Sequence, residues 1–356
     1  MKILVGGDLY LGDKNSVARK DSFDLLKHIR ENYDLFFCNL EGLISDRFEN
    51  DTSYGIKLIN STKSVDILKH IGIDGVFLSN NHTTDFDVVD ETLDILDKND
   101  IFSFGLGYEK DLFKIIKTDN EELLVCSMSE DIGEKEDFAT KIKKSYIHFN
   151  ETNLKKLSEQ NIINKLLYIH HGLMREYYPT PNVRDLLLKY AHGFSLMVGS
   201  HAHHIMGIEK YKDKILAYGL GDLYFHTFVD KKNRFIYKNF KKSNFSFLLG
   251  IELKDGNIQN HKIYPLELKE DKIIYNKKSL KKIKKLSDFE NFNFEKLHTR
   301  DNGLLKFIEY ELQALNEYIY NVVRYNFRYE FLKSPGFRKI EVLNKLIAKI
   351  RKWKYE

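Results

Sequence analysis

Cysteine and proline are scarce, with two cysteines and four prolines in 356 residues. Cys38 and Cys126 lie in apolar, strand-like runs and lack C-x-x-C spacing. This excludes a disulfide framework; both read as buried, reduced thiols of a cytoplasmic protein. No apolar run approaches the about 18 residues that a transmembrane helix needs. No signal-peptide core precedes the first strand, because Met1 leads directly into Lys2-Ile3-Leu4-Val5-Gly6-Gly7-Asp8. Several enzyme signatures are missing as well. There is no GxxxxGK[ST] loop, and Gly105-Leu106-Gly107 lacks the rest of a dinucleotide fingerprint. There is no G-x-S-x-G elbow. The net charge of +4 is too small to imply nucleic acid, so no specific nucleic-acid binding is expected. What remains is a soluble globular composition, 30% charged and 42% hydrophobic. The length suits one large domain or two, with a sizeable core.

Periodicity predicts alternating strands and helices. Strands are expected at Ile3–Gly6, Leu35–Cys38, Gly75–Ser79, Ile101–Phe104, Lys165–Ile169 and Phe194–Val198. Helical spacing is expected over Ser22–Asn32, around Val65, Leu68 and Ile71 up to Gly72, over Phe86–Lys98, and from Pro181 to about His192. Phe113–Thr118 with Glu122–Ser127 reads as a hairpin. Ile208–Tyr211 with Ile215–Tyr218 reads as a further pair. More strands follow near Phe245–Glu252, His261–Leu266 and Lys272–Tyr275. The alternation predicts a mixed α/β domain.

The most informative stretch is Val198-Gly199-Ser200-His201-Ala202-His203, with His204 behind it. Imidazoles at i and i+2 after an apolar run can enter one pocket, and neutral imidazole is a common metal ligand. Taken alone, the pair reads equally as surface histidines or a strand-end cap. The rest of the chain adds weight. Asp8, Glu41, the Asn81-His82 pair, His170 and His201 each follow a separate predicted strand. In open α/β sheets the carboxyl ends of strands form the ligand crevice. A shared histidine–carboxylate site is therefore expected, although single strand-end residues such as Asp8 or Asn81 also serve as turn formers or caps.

These motifs resemble the CapA family of capsule (poly-γ-glutamate) biosynthesis proteins, relatives of the calcineurin-like metallophosphoesterases. The resemblance rests on Gly7-Asp8, Asn39-Leu40-Glu41, Asn80-Asn81-His82-Thr83-Thr84-Asp85, His170-His171-Gly172, Gly199-Ser200-His201-Ala202-His203 and Tyr218-Gly219-Leu220-Gly221-Asp222, in that order, across about residues 1–250. It implies a two-sheet αββα sandwich of metallophosphoesterase type, with a metal site at the strand ends. It further implies divalent metal ions, two of them (Mn, Zn or Fe), held by Asp8, Glu41, Asn81, His170, His201 and His203. Glu41 stands at the bridging acidic position. His82 is placed to contact a substrate oxygen or act as an acid. Asp85 either orients His82 or caps a helix.

The chain departs from the family pattern at several positions. His171 and Met174 replace the usual Trp and Glu, Asp222 replaces Asn, and Asp87 replaces Gly. Tyr10 stands where a D-x-H histidine would. These changes bear on substrate contacts more than on metal binding, and His171 and His204 are expected outside the ligand set. The implied function is a metal-dependent hydrolase or transferase in capsule or surface-polymer biosynthesis. Its partner would be an anionic polymer precursor or phosphorylated substrate, in contact with a polymer-synthesis complex. A general phosphatase or nuclease, or a non-catalytic assembly factor, are the alternatives.

The character of the chain changes from about Lys269. The expected division is a domain over 1–268 and a basic, aromatic-rich helical region over 269–356. Lys277–Lys285 reads as a solvated linker or helix face, or as a polyanion contact. Leu304–Phe331 and Ile340–Tyr355 read as amphipathic helices. The latter, within 337–356, either packs on the main domain or makes a peripheral contact with the inner membrane face.

Overall fold

Strand β1, Lys2–Tyr10, is buried from Ile3 onward. Its side chains alternate: Ile3 and Val5 enter a core between two sheets, and Leu4 a core beneath helices. The strand does not end before Asp8, as the sequence suggests. Its register slips against its neighbours between Val5 and Asp8 and again between Asp8 and Leu9. What reads as a strand end is an irregularity at the two glycines that re-aims Asp8 while pairing continues. The structure is a computed structural model and describes residues 1–51, 56–106, 112–118, 121–130, 147–172, 176–229, 235–237 and 245–289.

A short 3-10 turn leads into α1, Asp24–Arg30. Then follow β2, Leu35–Leu40; α2, Ser64–Ile71; β3, Gly75–Phe77; α3, Val89–Asp97; and β4, Phe102–Phe104. Helix α2 stops where predicted. Gly72 adopts a φ of 81° and returns its N–H to the carbonyls of Leu68 and Lys69. Helix α3 begins later than Phe86, because the residues before it are occupied by turns that build the site. Hairpin β5, Lys114–Lys117, with β6, Glu122–Ser129, opens the second sheet. Helix α4, Glu151–Ser158, was not predicted; the Asn150 side chain caps it by accepting from the Asn153 N–H. Next come β7, Asn164–His170; α5, Pro181–Tyr190; β8, Leu196–Ser200; β9, Ile208–Tyr211; and β10, Lys214–Ala217. The chain then returns to the first sheet with β11, Asp222–Phe225; β12, Phe245–Lys254; β13, Asn257–Lys269; and β14, Lys272–Tyr275. Helix α6, Lys278–Leu286, follows.

The 8-stranded sheet has the order β14-β13-β12-β1-β2-β3-β4, with β11 beside β1; the 6-stranded sheet has the order β9-β10-β8-β7-β6-β5. The run β1-β2-β3-β4 is parallel, and so is β6-β7-β8-β10. Each sheet therefore presents the carboxyl ends of several strands along one edge. Between the sheets lie Val5, Phe37, Phe77, Val125, Leu166, Tyr168 and Val198. Phe77 of one sheet stacks on Tyr168 of the other at 4.0 Å between ring centroids. Burying such a ring is worth about 1.5–3 kcal/mol, and the ring pair about 0.5–1.5 more. Leu26, Ile29, Leu68, Ile71 and Leu96 of α1 to α3 cover the outside of the larger sheet. Leu187 of α5 lines a small void with Ile169 and Met197 on the outside of the smaller one. This is the expected helix–sheet–sheet–helix sandwich.

The compact unit runs from Met1 to Phe292, past the boundary expected at 268. Strand β14 extends the larger sheet, and the basic run is no linker. It forms α6, whose Ile283 and Leu286 enter the inter-sheet core while Lys278, Lys281, Lys284 and Lys285 face outward. The helices expected over 304–331 and 340–355, the possible membrane contact of 337–356, and Met174 lie outside the described residues. Among the described residues, no helix is long and apolar enough to cross a membrane.

Candidate metal centre

The six expected ligands come from both sheets and meet at one end of the sandwich. Asp8 lies within β1, Glu41 directly follows β2, and Asn81 sits in the turns after β3. His170 ends β7, while His201 and His203 follow β8. All but Asn81 are buried, Asp8, Glu41 and His170 completely. The turn after β8 has backbone that side-chain-bearing residues rarely adopt, with φ of 97° at His201 and 53° at His203. Such positions cost on the order of 1–3 kcal/mol each and persist where surrounding structure holds them. Here they set two rings, two residues apart in sequence, 6.3 Å from each other between centroids.

Two groups of donors can be distinguished. In the first, His170 Nε2 lies 2.8 Å from Asn81 Oδ1, 2.9 Å from His201 Nδ1 and 3.6 Å from Glu41 Oε1. His170 Nδ1 lies 3.1 Å from Ser200 Oγ. With that nitrogen donating to the hydroxyl, the Nε2 lone pair faces the Asn81 amide oxygen, which is also an acceptor. Burial, reinforced by the neighbouring ring of His201, holds the His170 pKa well below the usual histidine value. Burial and His203 do the same for His201. Both are neutral imidazoles, the form that binds metal. In the second group, His203 Nδ1 lies 2.7 Å from Asp222 Oδ1 and 3.9 Å from Asp8 Oδ2. Asp8 also accepts from the His201 N–H at 3.1 Å and from Asn39 Nδ2 at 2.8 Å. Asn39 reaches Glu41 Oε1 at 3.2 Å with the same nitrogen, tying the two acidic residues together.

Electrostatics favour a cation. Among the described residues, no lysine or arginine pairs with Asp8, Glu41 or Asp222. Burial and then the Asp8 carboxylate push the Glu41 pKa up to about 8. Burial raises Asp222 to about 6, although His203 opposes it. Glu41 Oε2, His201 Nε2 and Asp222 Oδ2 are buried with no hydrogen-bond partner. A buried orphan of this kind is costly, and three of them on residues of this cluster fit a bound cation. Oxygen and imidazole donors without thiolate suit Mn, Zn or Fe. Asp8, Glu41 and His170 offer atoms within 4.8 Å of one another, as do Asp8, His203 and Asp222.

The remaining expectations resolve as follows. Asp85 caps no helix; α3 has Val88 at its N-cap, with no side-chain cap bond. Asp85 Oδ2 instead lies 2.6 Å from His82 Nδ1 and accepts from the Leu58 N–H at 2.7 Å. Burial disfavours a charged His82, but the Asp85 carboxylate and its hydrogen bond outweigh that and raise the pKa. His171 and His204 are both buried, so neither is a surface residue. His171 turns away to the Tyr218 carbonyl at 3.0 Å, and His204 stacks on Tyr177. Three contributors escaped the sequence reading of the ligand set: Asn39, Ser200 and Asp222. Asn39 carried a signal, as a polar residue inside the buried run Leu35–Leu40. Asp222 is a correction of another kind. This departure from the family pattern lies among the candidate donors, beside Asp8 and His203.

The model of the bacterial capsule synthesis protein PGA_cap family matches residues 2–227. The chain belongs to that family. Among curated proteins none matches it. Solved structures similar to this chain include three of different origin. One is a hypothetical protein from Thermus thermophilus, 18% identical with a TM-score of 0.48, covering 75% of this chain and 99% of its own. A novel phosphatase from Mycoplasma pneumoniae is 12% identical with a TM-score of 0.49, covering 79% of this chain and 96% of its own. A putative 5'-nucleotidase from Staphylococcus aureus is 12% identical with a TM-score of 0.48, covering 80% and 57% respectively. The layer order and the site derived above stand on the chain's own residues.

Proposed function

We propose that this protein is a metal-dependent hydrolase or transferase in capsule or surface-polymer biosynthesis, acting on a phosphorylated or amide- or ester-linked precursor, either of poly-γ-glutamate or of a polysaccharide. The observation that carries the reading is the ring of donors around His170 Nε2: Asn81 Oδ1 at 2.8 Å, His201 Nδ1 at 2.9 Å and Glu41 Oε1 at 3.6 Å. Two divalent cations would be held by Asp8, Glu41, Asn81, His170, His201 and His203. Such cations supply Lewis acidity and water whose pKa is lowered to about 7.

The chain's own residues do the rest. Asn39 fixes Asp8 and Glu41 in register with each other. Ser200 fixes the His170 ring. His82, held by Asp85 and reaching the surface, is placed to give a proton to a leaving oxygen or nitrogen. The partners in this reading are an anionic precursor and the complex that polymerises it.

The test is turnover of phosphomonoesters, phosphodiesters and γ-glutamyl amides by protein loaded with Mn2+, alongside capsule formation in the host. Turnover abolished by Asp8→Ala and His201→Ala supports the proposal. Cation-loaded protein that turns over none of them, with both variants still restoring capsule, makes the protein an assembly factor and ends the proposal.

A further inference from the structure

We infer that Asp222 is a metal ligand of this centre, completing with Asp8 and His203 the second of the two donor groups. The inference rests on the proposed two-cation reading and adds a residue to it. In that group the expected ligands supply only Asp8 and His203, with Glu41 at the bridging position implied by the resemblance. A D-x-H partner of Asp8 would stand at position 10, and Tyr10 is there instead. Tyr10 is fully buried, its hydroxyl accepts from Asn50 Nδ2 at 2.5 Å, and its ring packs on Phe225 at 5.1 Å. It is committed to packing and to Asn50.

The fold supplies a carboxylate from another strand. Strands β1 and β11 run parallel, with Asp8 directly opposite Asp222. They approach closely because no side chain intervenes. A Cβ on Gly7 would lie 1.9 Å from the Gly221 carbonyl, and Gly221 itself has a φ of 76°. The Asp8 N–H donates to that same carbonyl at 3.2 Å. Two acidic side chains are thus set side by side in a buried site, an arrangement that is unfavourable without a counter-charge.

His203 answers only part of this demand. It takes one oxygen of Asp222 at 2.7 Å, while the other, Oδ2, is buried and has no hydrogen-bond partner. Donor atoms of Asp8, His203 and Asp222 lie within 4.8 Å of one another, the compactness a single ion requires. The contact between His203 and Asp222 parallels that between His170 and His201 in the other half: two donors that meet across the space between them. The plain alternative is that Asp222 only orients His203, as carboxylates commonly do for metal-bound histidines. The unpartnered Oδ2 favours ligation.

The experiment is Mn2+ stoichiometry by equilibrium dialysis, with the electron paramagnetic resonance spectrum recorded on the same samples. The full chain is compared with its Asp222→Leu variant, which removes both oxygens at similar volume. The wild type is expected to hold two Mn2+ per chain with an exchange-coupled spectrum. Asp222→Leu is expected to hold one, with the uncoupled six-line spectrum. Two coupled ions in the variant, at unchanged affinity, would leave Asp222 as a positioning residue and overturn this inference alone. No Mn2+ in the wild type would overturn the two-cation reading with it. Should Asp222→Leu fail to fold, the anomalous map of wild-type crystals grown with Mn2+ decides. An ion in ligand contact with Asp222 supports the inference, and one touching only Asp8, Glu41 and His203 refutes it.

Discussion

Removing divalent cations should destabilise the whole sandwich, because the proposed ligands come from both layers. Asp8, Glu41 and Asn81 belong to the larger sheet, and His170, His201 and His203 to the smaller. An ion held between them is a cross-link that exists only in the folded state. A ligand present at 100 times its dissociation constant stabilises by about 2.7 kcal/mol per site, so two sites give about 5 kcal/mol. In a unit of this size each kcal/mol moves the midpoint by about 2 °C, which gives a shift of about 10 °C. The assay is thermal unfolding of the full chain in EDTA and in excess Mn2+. His170→Ala, which removes the central donor of one half, should lose at least half of the shift. Identical midpoints with and without cation in the wild type would refute the reasoning. So would an equal shift in the variant, since the stabilisation would then arise elsewhere.

Three further outcomes are expected. His82→Asn should lower kcat about 100-fold, in line with loss of a general acid, while leaving cation content unchanged; loss of cation together with activity would instead make His82 part of the ligand set. Cation affinity should rise with pH through the neutral range. Burial and Asp8 hold Glu41 up at about 8, and Asp222, aided by Asp8, holds His203 at about 9 against the opposing effect of burial. Both therefore carry protons at neutral pH that an incoming cation must displace. Calorimetry in buffers of different ionisation enthalpy should show net proton release, and no release would contradict the assignment. Gly199→Ala should destabilise by about 1–3 kcal/mol in denaturant unfolding, as overpacking does. Its Cβ would sit 2.4 Å from both the Tyr218 carbonyl and His171 Nε2. An unchanged midpoint would show that β8 has room to move.

Much of the candidate site was legible because most of the proposed ligands stand at a change of local pattern, where an apolar strand gives way to polar residues. His170 and His201 were found in this way, and both lie at the carboxyl ends of parallel strands. Asp8 was found for a partly mistaken reason: its strand continues to Tyr10, and the glycines mark an irregularity within it. Asp222 was not legible from position alone, since it opens a strand and comes beside Asp8 only through a parallel pairing across 214 residues of sequence (222 − 8). Helix α4 escaped because its two buried residues, Leu154 and Leu157, make too short a pattern to stand out. The late start of α3 has a tertiary cause. Asp85 is engaged by His82 and by the Leu58 N–H, a contact that joins distant parts of the chain.

The most direct measurement is an anomalous-scattering map from crystals of the wild-type chain grown with Mn2+. The account predicts two peaks at the carboxyl edge of the sandwich, one among Glu41, Asn81, His170 and His201 and one among Asp8, His203 and Asp222. A map without density at either position, from protein saturated with the ion, would contradict it.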